Sequence, residues 1–256
     1  MNLETFSVGS SVLHRAEVRL KMMAALVFSV VVALCHSLAA PLLALVLAGV
    51  LLLAARLPLM AVLRRLTLIN LFGLLFWLTL PLTVPGPVLA SLGPFAISRP
   101  GVDLALVITL KTNALVLVFV ALVATSGMAA IGHGLAGLGL PNRFCMLLLF
   151  TYRYIFVLSQ EFQRLRRAAL LRGFRPATTL HTYRTYGNLL GMTLVKGWQR
   201  GVRVQQAMAL RGFQGRFYLL EATRPGAADW ALMALVVFGT VAVAMVELAQ
   251  GRGGWQ

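Results

Sequence analysis

Charge is scarce in this chain of 256 residues, and acid is scarcest: 7 Asp and Glu stand against 23 Lys and Arg, together only 12% of the sequence. Soluble domains carry about 25% charged residues and roughly 45–50% apolar ones. Here the apolar share is 59% and the mean hydropathy +0.85, which excludes soluble, disordered and collagen-like classes. Two cysteines, Cys35 and Cys145, sit in separate apolar stretches, too few for a disulfide scaffold or a thiolate cage. The acids Glu4, Glu17, Asp103, Glu161, Glu221, Asp229 and Glu247 are scattered. No aspartate cluster can hold Mg²⁺, and no carboxylate pair is set for acid–base work. His14, His36, His133 and His181 lie on separate segments without metal-ligand spacing, and His14 reads as a membrane-surface residue. A Gly-x-x-x-x-Gly-Lys-Ser/Thr loop is missing, and Ser126 and Cys145 have no local base. The chain carries no enzyme, cofactor or metal site.

What is present is a set of long uncharged runs. Between Lys21 and Arg56 lie 34 uncharged residues, about 51 Å as one helix and too long for a hydrocarbon core of about 30 Å. Cys35, His36 and Ser37 before Pro41 break the run into a helical hairpin. A second run, from Arg65 to Arg99, is interrupted by the turn signal Pro85-Gly86-Pro87. The expectation is an all-α integral membrane protein with four spans within 1–125 (about 22–38, 40–56, 66–84 and 103–125). A loop outside the membrane covers 88–98, a cytoplasmic region covers 126–228, and a last span at 229–247 leads into a short outer tail ending at 256. The first 21 residues lack the pattern of a secretory signal.

Orientation follows from the basic residues. With the N-terminus inside, short cytoplasmic segments hold Arg15, Arg19, Lys21, Arg56, Arg64 and Arg65, and outer segments only Arg99 and Arg252, as the positive-inside rule requires. Region 126–228 then also lies inside, with 14 Arg and Lys against Glu161 and Glu221. Such a charge suits a membrane surface rather than nucleic acid. Lys111 falls within the fourth span, where a central charge costs roughly 2.5–3.5 kcal/mol. The simpler expectation is that it snorkels to the outer interface; the sharper one has it facing a partner or pathway.

A structureless connection as long as 126–228 is uncommon. Residues 144–158, an apolar run interrupted by Arg153, read as a helix that lies at the interface or packs under the bundle. From 155 to 172 the pattern is amphipathic, with Phe156, Leu158, Phe162, Leu165 and Ala169 near one face. A second helix at 188–211 places Val195, Trp198, Val202 and Ala209 on one stripe, with Lys196, Arg200 and Arg203 on another. Both helices end in the same word: Leu171-Arg172-Gly173-Phe174 recurs 39 positions later as Leu210-Arg211-Gly212-Phe213. Each glycine suits the left-handed residue that closes a helix, and each arginine suits the negative helix end. Capping alone explains one Arg-Gly ending. A four-residue identity, preceded by Ala168, Ala169, Ala207 and Ala209, reads as paired plugs for two similar grooves, with a guanidinium able to grip a carboxylate bidentately. Gly197 and Gly201 form a small-xxx-small spacing that would let the two basic helices cross.

These features resemble the transmembrane T component of energy-coupling-factor (ECF) transporters, in its cobalt-type (CbiQ-like) branch. The resemblance is carried by Ser11-Val12-Leu13-His14 before Arg19-Leu20-Lys21, by the run Leu148 to Leu158, by Glu161, Arg164, Arg166-Arg167-Ala168 and by both Arg-Gly-Phe endings. It implies an all-helical, L-shaped fold that couples a membrane complex to a pair of ABC-type ATPases through Arg172 and Arg211. ATP is then bound by those partners, and a separate membrane substrate-binding (S) component captures the ion, with a further small membrane subunit in some systems. Leu171 and Leu210 stand where many members have alanine, which makes the plug bulkier. The implied role is a non-catalytic coupling subunit of a cobalt importer in the bacterial inner membrane, with nickel and vitamin systems as alternatives. A small basic channel, for which only Asn70, Lys111 and Asn113 could supply a polar stripe, or a protein whose basic segment binds lipid, is the competing class.

Overall fold

The computed structural model describes Leu13 and residues 16–92, 95–215 and 226–251. Ser11, Val12, His14 and Arg15, the acids Glu4 and Glu221, and the outer tail with Arg252 lie outside the described residues. The elements in order are α1 (Val18–Leu34), α2 (Ala39–Ala55), α3 (Leu59–Thr83), β1 (Val88–Leu92), β2 (Phe95–Ser98), α4 (Arg99–Leu122), α5 (Met128–Gly137), α6 (Asn142–Leu171), α7 (Leu180–Leu210) and α8 (Ala227–Gly251). The chain forms two compact units, Met1–Gly134 with Ala222–Gln256, and Leu135–Glu221.

In the first unit α2 is the most deeply buried helix. Ala40, Ala44, Ala48 and Ala55 lie along it, fully buried together with Leu51. Apolar tails give no hydrophobic drive for helix pairing in lipid, so close backbone approach over small residues supplies it. α4 answers with buried Ala114, Val118 and Ala121. α8 crosses α2 at Gly239, where any side chain would collide with Leu47. Among the described residues α3, α4 and α8 are long and apolar enough to cross a membrane; α2 is apolar but has 17 residues.

Several limits differ from the sequence expectation. α1 runs Val18–Leu34 rather than 22–38, because Lys21 does not end it: the side chain is fully buried and its Nζ donates to the Leu13 carbonyl at 2.7 Å. α3 starts at Leu59 rather than 66, with Arg64 and Arg65 on its exposed surface. A charge marks where a helix leaves the hydrocarbon, not where the helix stops. α4 starts at Arg99, with Pro100 in its first turn and the Ser98 hydroxyl accepting from the Gly101 N–H. The loop expected at 88–98 contains an antiparallel hairpin, pairing Val88 with Ser98 and Leu92 with Phe95.

Gly101 is where α4 meets the end of α3. A Cβ there would sit 2.5 Å from the Leu80 carbonyl oxygen and 2.7 Å from Pro81 Cα, and neither backbone atom can rotate away. Gly101→Val is expected to cost about 3 kcal/mol and to lower the melting midpoint of the detergent-purified protein. Gly73→Ala, where an added Cβ meets nothing within 4 Å, is the control that should melt near wild type.

The turn between α1 and α2 is held by charge. Lys111 Nζ on α4 donates to the Ala33 carbonyl at 3.2 Å. Glu247 on α8 accepts from the His36 N–H at 2.6 Å, from the Ser37 N–H at 3.2 Å and from the Ser37 hydroxyl at 2.5 Å. The ammonium thus faces the negative end of α1, and the carboxylate faces the amides leading into α2. The Lys111 side chain thus reaches the carbonyl end of α1 and caps it. Asn70 and Asn113 exchange reciprocal amide bonds between α3 and α4 at 3.1 and 3.0 Å.

Candidate functional site: two matched helix ends

The second unit is dominated by α6 and α7, of 30 and 31 residues. The segments expected at 144–158 and 155–172 are one continuous helix. Arg153, the one charge in the apolar run, lies on its exposed side. α7 begins at Leu180 rather than 188 because Thr179 caps it, its hydroxyl accepting from the Thr182 N–H at 3.4 Å. The short Gly-rich α5, MAAIGHGLAG, was not foreseen, its glycines arguing against helix.

α6 and α7 meet where Gly197 faces Leu158; a Cβ on Gly197 would lie 2.8 Å from Leu158 Cδ2. Gly201 has nothing within 4 Å of an added Cβ, so only one glycine of the small-xxx-small pair makes the close approach. Beside the crossing, Lys196 Nζ donates to Glu161 at 2.5 Å, and Arg164 stands 3.5 Å from the other carboxylate oxygen. The bond from Lys196, with the nearby arginines, holds the Glu161 carboxyl below the usual carboxylate range. The stripe of Val195, Trp198 and Val202 is turned outward, with Trp198 77% exposed.

Both Leu-Arg-Gly-Phe words close their helices in the same way. After α6, Gly173 adopts φ +85°, its N–H donates to the Leu170 carbonyl, and the Phe174 N–H donates to Ala169, each at 3.1 Å. After α7, Gly212 adopts φ +73°, its N–H donates to Ala209 at 3.0 Å, and the Phe213 N–H donates to Met208 at 3.1 Å. This paired pattern is the Schellman closure, which satisfies carbonyls a helix otherwise leaves open. Each time the arginine is the last near-helical residue, with Arg172 at φ −88° and Arg211 at φ −87°. The preceding leucines are 90% exposed at both ends. Nothing in capping chemistry requires an exposed leucine there.

The 39-residue offset also carries Leu158 onto Gly197, the pair that touch at the crossing. Leu171 lies 13 residues beyond Leu158, and Leu210 lies 13 beyond Gly197, so each end reaches about 20 Å from the same point. The likeness runs further back than the word itself, since Gln160 and Arg164 match Gln199 and Arg203. Aligning the chain with itself at that offset reveals these positions.

The model of the family described as cobalt transport protein, CbiQ, matches residues 9–219. The energy-coupling factor transporter transmembrane protein EcfT of Heliobacterium modesticaldum is 26% identical over 215 residues, 80% of this chain and 81% of that protein. The uncharacterized protein MJ1089 of Methanocaldococcus jannaschii is 26% identical over 97 residues, 38% of this chain and 36% of its own length. The family match runs through the first four apolar helices and both Arg-Gly ends, so this multi-pass membrane chain belongs to the CbiQ family of cobalt transport proteins, the cobalt-type T components of ECF transporters.

Proposed function

We propose that the chain is the coupling subunit of an ATP-driven importer of a divalent transition-metal ion, cobalt foremost, and that Arg172 and Arg211 dock into the two members of an ABC-type ATPase pair. The observation that carries this is the equality of the ends: the same four residues, the same closure, the same leucine exposure and the same distance from one crossing. Two like plugs suit two like sockets. ATP binding and hydrolysis in the partners move the sockets relative to each other. α6 and α7, locked where Leu158 meets Gly197 and Glu161 meets Lys196, carry that motion as rigid bodies to the membrane spans and to the substrate-binding S component. The chain itself holds neither ATP nor ion. Its N-terminus, both helix ends and the basic region face the cytoplasm of a bacterial cell, and α1, α2, α3, α4 and α8 make up five passes of its inner membrane.

The channel reading is disfavoured because its candidate polar groups are committed: Asn70 and Asn113 to each other and Lys111 to the Ala33 carbonyl. Lipid binding alone needs positive charge but no matched helix closures. A nickel or vitamin system would use the same ends, and competition against labelled cobalt uptake separates these cargoes. The coupling role is tested by co-purifying the ATPase pair with the wild-type chain and with Arg172→Glu plus Arg211→Glu. Equal capture by both would sink it.

A further inference from the structure

The two ends share a tip but not a shoulder. Around the first, Arg164, Arg166, Arg167, Arg172 and Arg175 are all exposed. At the matched positions around the second stand Arg203, Gln205, Gln206, Arg211 and Gln214, so three arginines become three glutamines. Glu161, the single acidic side chain among the described residues of this unit, is engaged by Lys196 and by Arg164 of the shoulder itself, leaving Arg166, Arg167, Arg172 and Arg175 with no acidic side chain of this unit to compensate them among the described residues. The apolar side differs in the opposite sense. Phe174 packs against Tyr186, ring centroids 5.8 Å apart, and against His181 at 6.3 Å. Phe213 borders a groove of about 500 Å³ lined also by Met146, Phe150, Gly201 and Met208. In the first helix Phe162 takes the place of Gly201 and Ala169 that of Met208, so the second end gains a methionine but lacks the phenyl ring that would fill the groove at Gly201.

We infer that the two ends engage their ATPase sockets by different physics: the first through its arginine shoulder on an acidic rim, the second through an apolar side chain of the ATPase seated in the Phe213 groove. The inference rests on the coupling reading. Charge complementarity points to the acidic rim, since the four guanidinium groups of Arg166, Arg167, Arg172 and Arg175 repel each other until an anionic surface meets them. Continuity points to the second contact, because Phe213 belongs both to the docking word and to the groove wall.

The test uses the full chain in lipid nanodiscs and measures affinity for the ATPase pair from about 0.05 to about 0.5 M NaCl, a range over which exposed charges become screened. The triple variant Arg166→Gln, Arg167→Gln, Arg175→Gln gives the first shoulder the composition of the second. It should bind about tenfold more weakly at low salt and nearly as wild type at high salt. Gly201→Phe fills the groove from a position with open space around it and should weaken binding about tenfold at every salt concentration. An unchanged salt dependence in the triple variant, or wild-type affinity in Gly201→Phe, overturns the inference. So does a Gly201→Phe variant that loses a membrane subunit while keeping its ATPase, since the groove would then belong to that subunit. Should Arg172→Glu plus Arg211→Glu keep full capture, the coupling reading itself fails. If that variant loses capture while the other two behave as wild type, only the present inference falls.

Discussion

Reversing both arginines, Arg172→Glu with Arg211→Glu, is expected to bring ATP-driven ion uptake to background while the chain's amount in the membrane stays unchanged and its melting falls only by the small cost of an acid at two helix ends, about 1 kcal/mol each at most. Both side chains are exposed at helix ends, and the closing bonds are made by the backbone of Gly173, Phe174, Gly212 and Phe213, so folding does not depend on the guanidinium groups. A charge-assisted hydrogen bond contributes about 1.5–3 kcal/mol, and reversal adds like-charge repulsion to its loss. The single variants should be informative as well. Two plugs on one body bind as a linked pair, so removing one forfeits the effective concentration it gave the other. Each single reversal should therefore weaken ATPase capture by about ten- to a hundredfold. Arg→Lys at both positions should retain part of the capture, because it keeps the charge but loses the bidentate fork. Uptake measured with ATPase activity distinguishes two failures. Hydrolysis persisting without transport means uncoupling; loss of both means failed assembly. Uptake at wild-type level in the double reversal would refute the proposed role.

The helices were legible because lipid leaves the chain few choices: apolar runs and punctuating charges located α1, α2, α4 and α8 to within about four residues, and the end but not the start of α3. The matched ends were legible because a repeated word is visible without coordinates, and Gly173 and Gly212 have the left-handed φ that such words require. Three things were hidden. Charge was read as a helix boundary, so Lys21 and Arg65 misplaced the starts of α1 and α3; a lysine can be buried once a carbonyl such as that of Leu13 accepts from it. The partners of polar side chains within spans depend on which helices are neighbours, and composition does not say that α4 lies beside the end of α1. Finally, Gly197 and Gly201 look alike in the sequence, yet only Gly197 faces a side chain across the crossing. Which of two equally spaced glycines is used is set by the crossing itself, a long-range property.

Glu247→Leu is expected to destabilise the membrane unit more than any conservative change at an exposed position, by about 3 kcal/mol. Its carboxylate is the acceptor for two backbone N–H groups and one hydroxyl at the α1–α2 turn, and leucine leaves those donors without it. Ser37 compensates little, since its hydroxyl already stands 3.4 Å from the Ala40 N–H as an acceptor. Glu247→Gln keeps one acceptor oxygen and should lose roughly half as much. Lys111→Met removes one donor from the Ala33 carbonyl, a single bond at 3.2 Å, and should cost about 1 kcal/mol. For a chain of this length the leucine variant corresponds to a fall of about 10 °C in the melting midpoint, measurable on detergent-solubilised protein by fluorescence-detected size exclusion. The order Leu, then Gln, with Lys111→Met mildest, follows from counting donors and acceptors left without partners. A Glu247→Leu variant that melts with wild type would mean that the charges rest at the turn without holding it, and that the hairpin is kept by the alanine stripe of α2 alone.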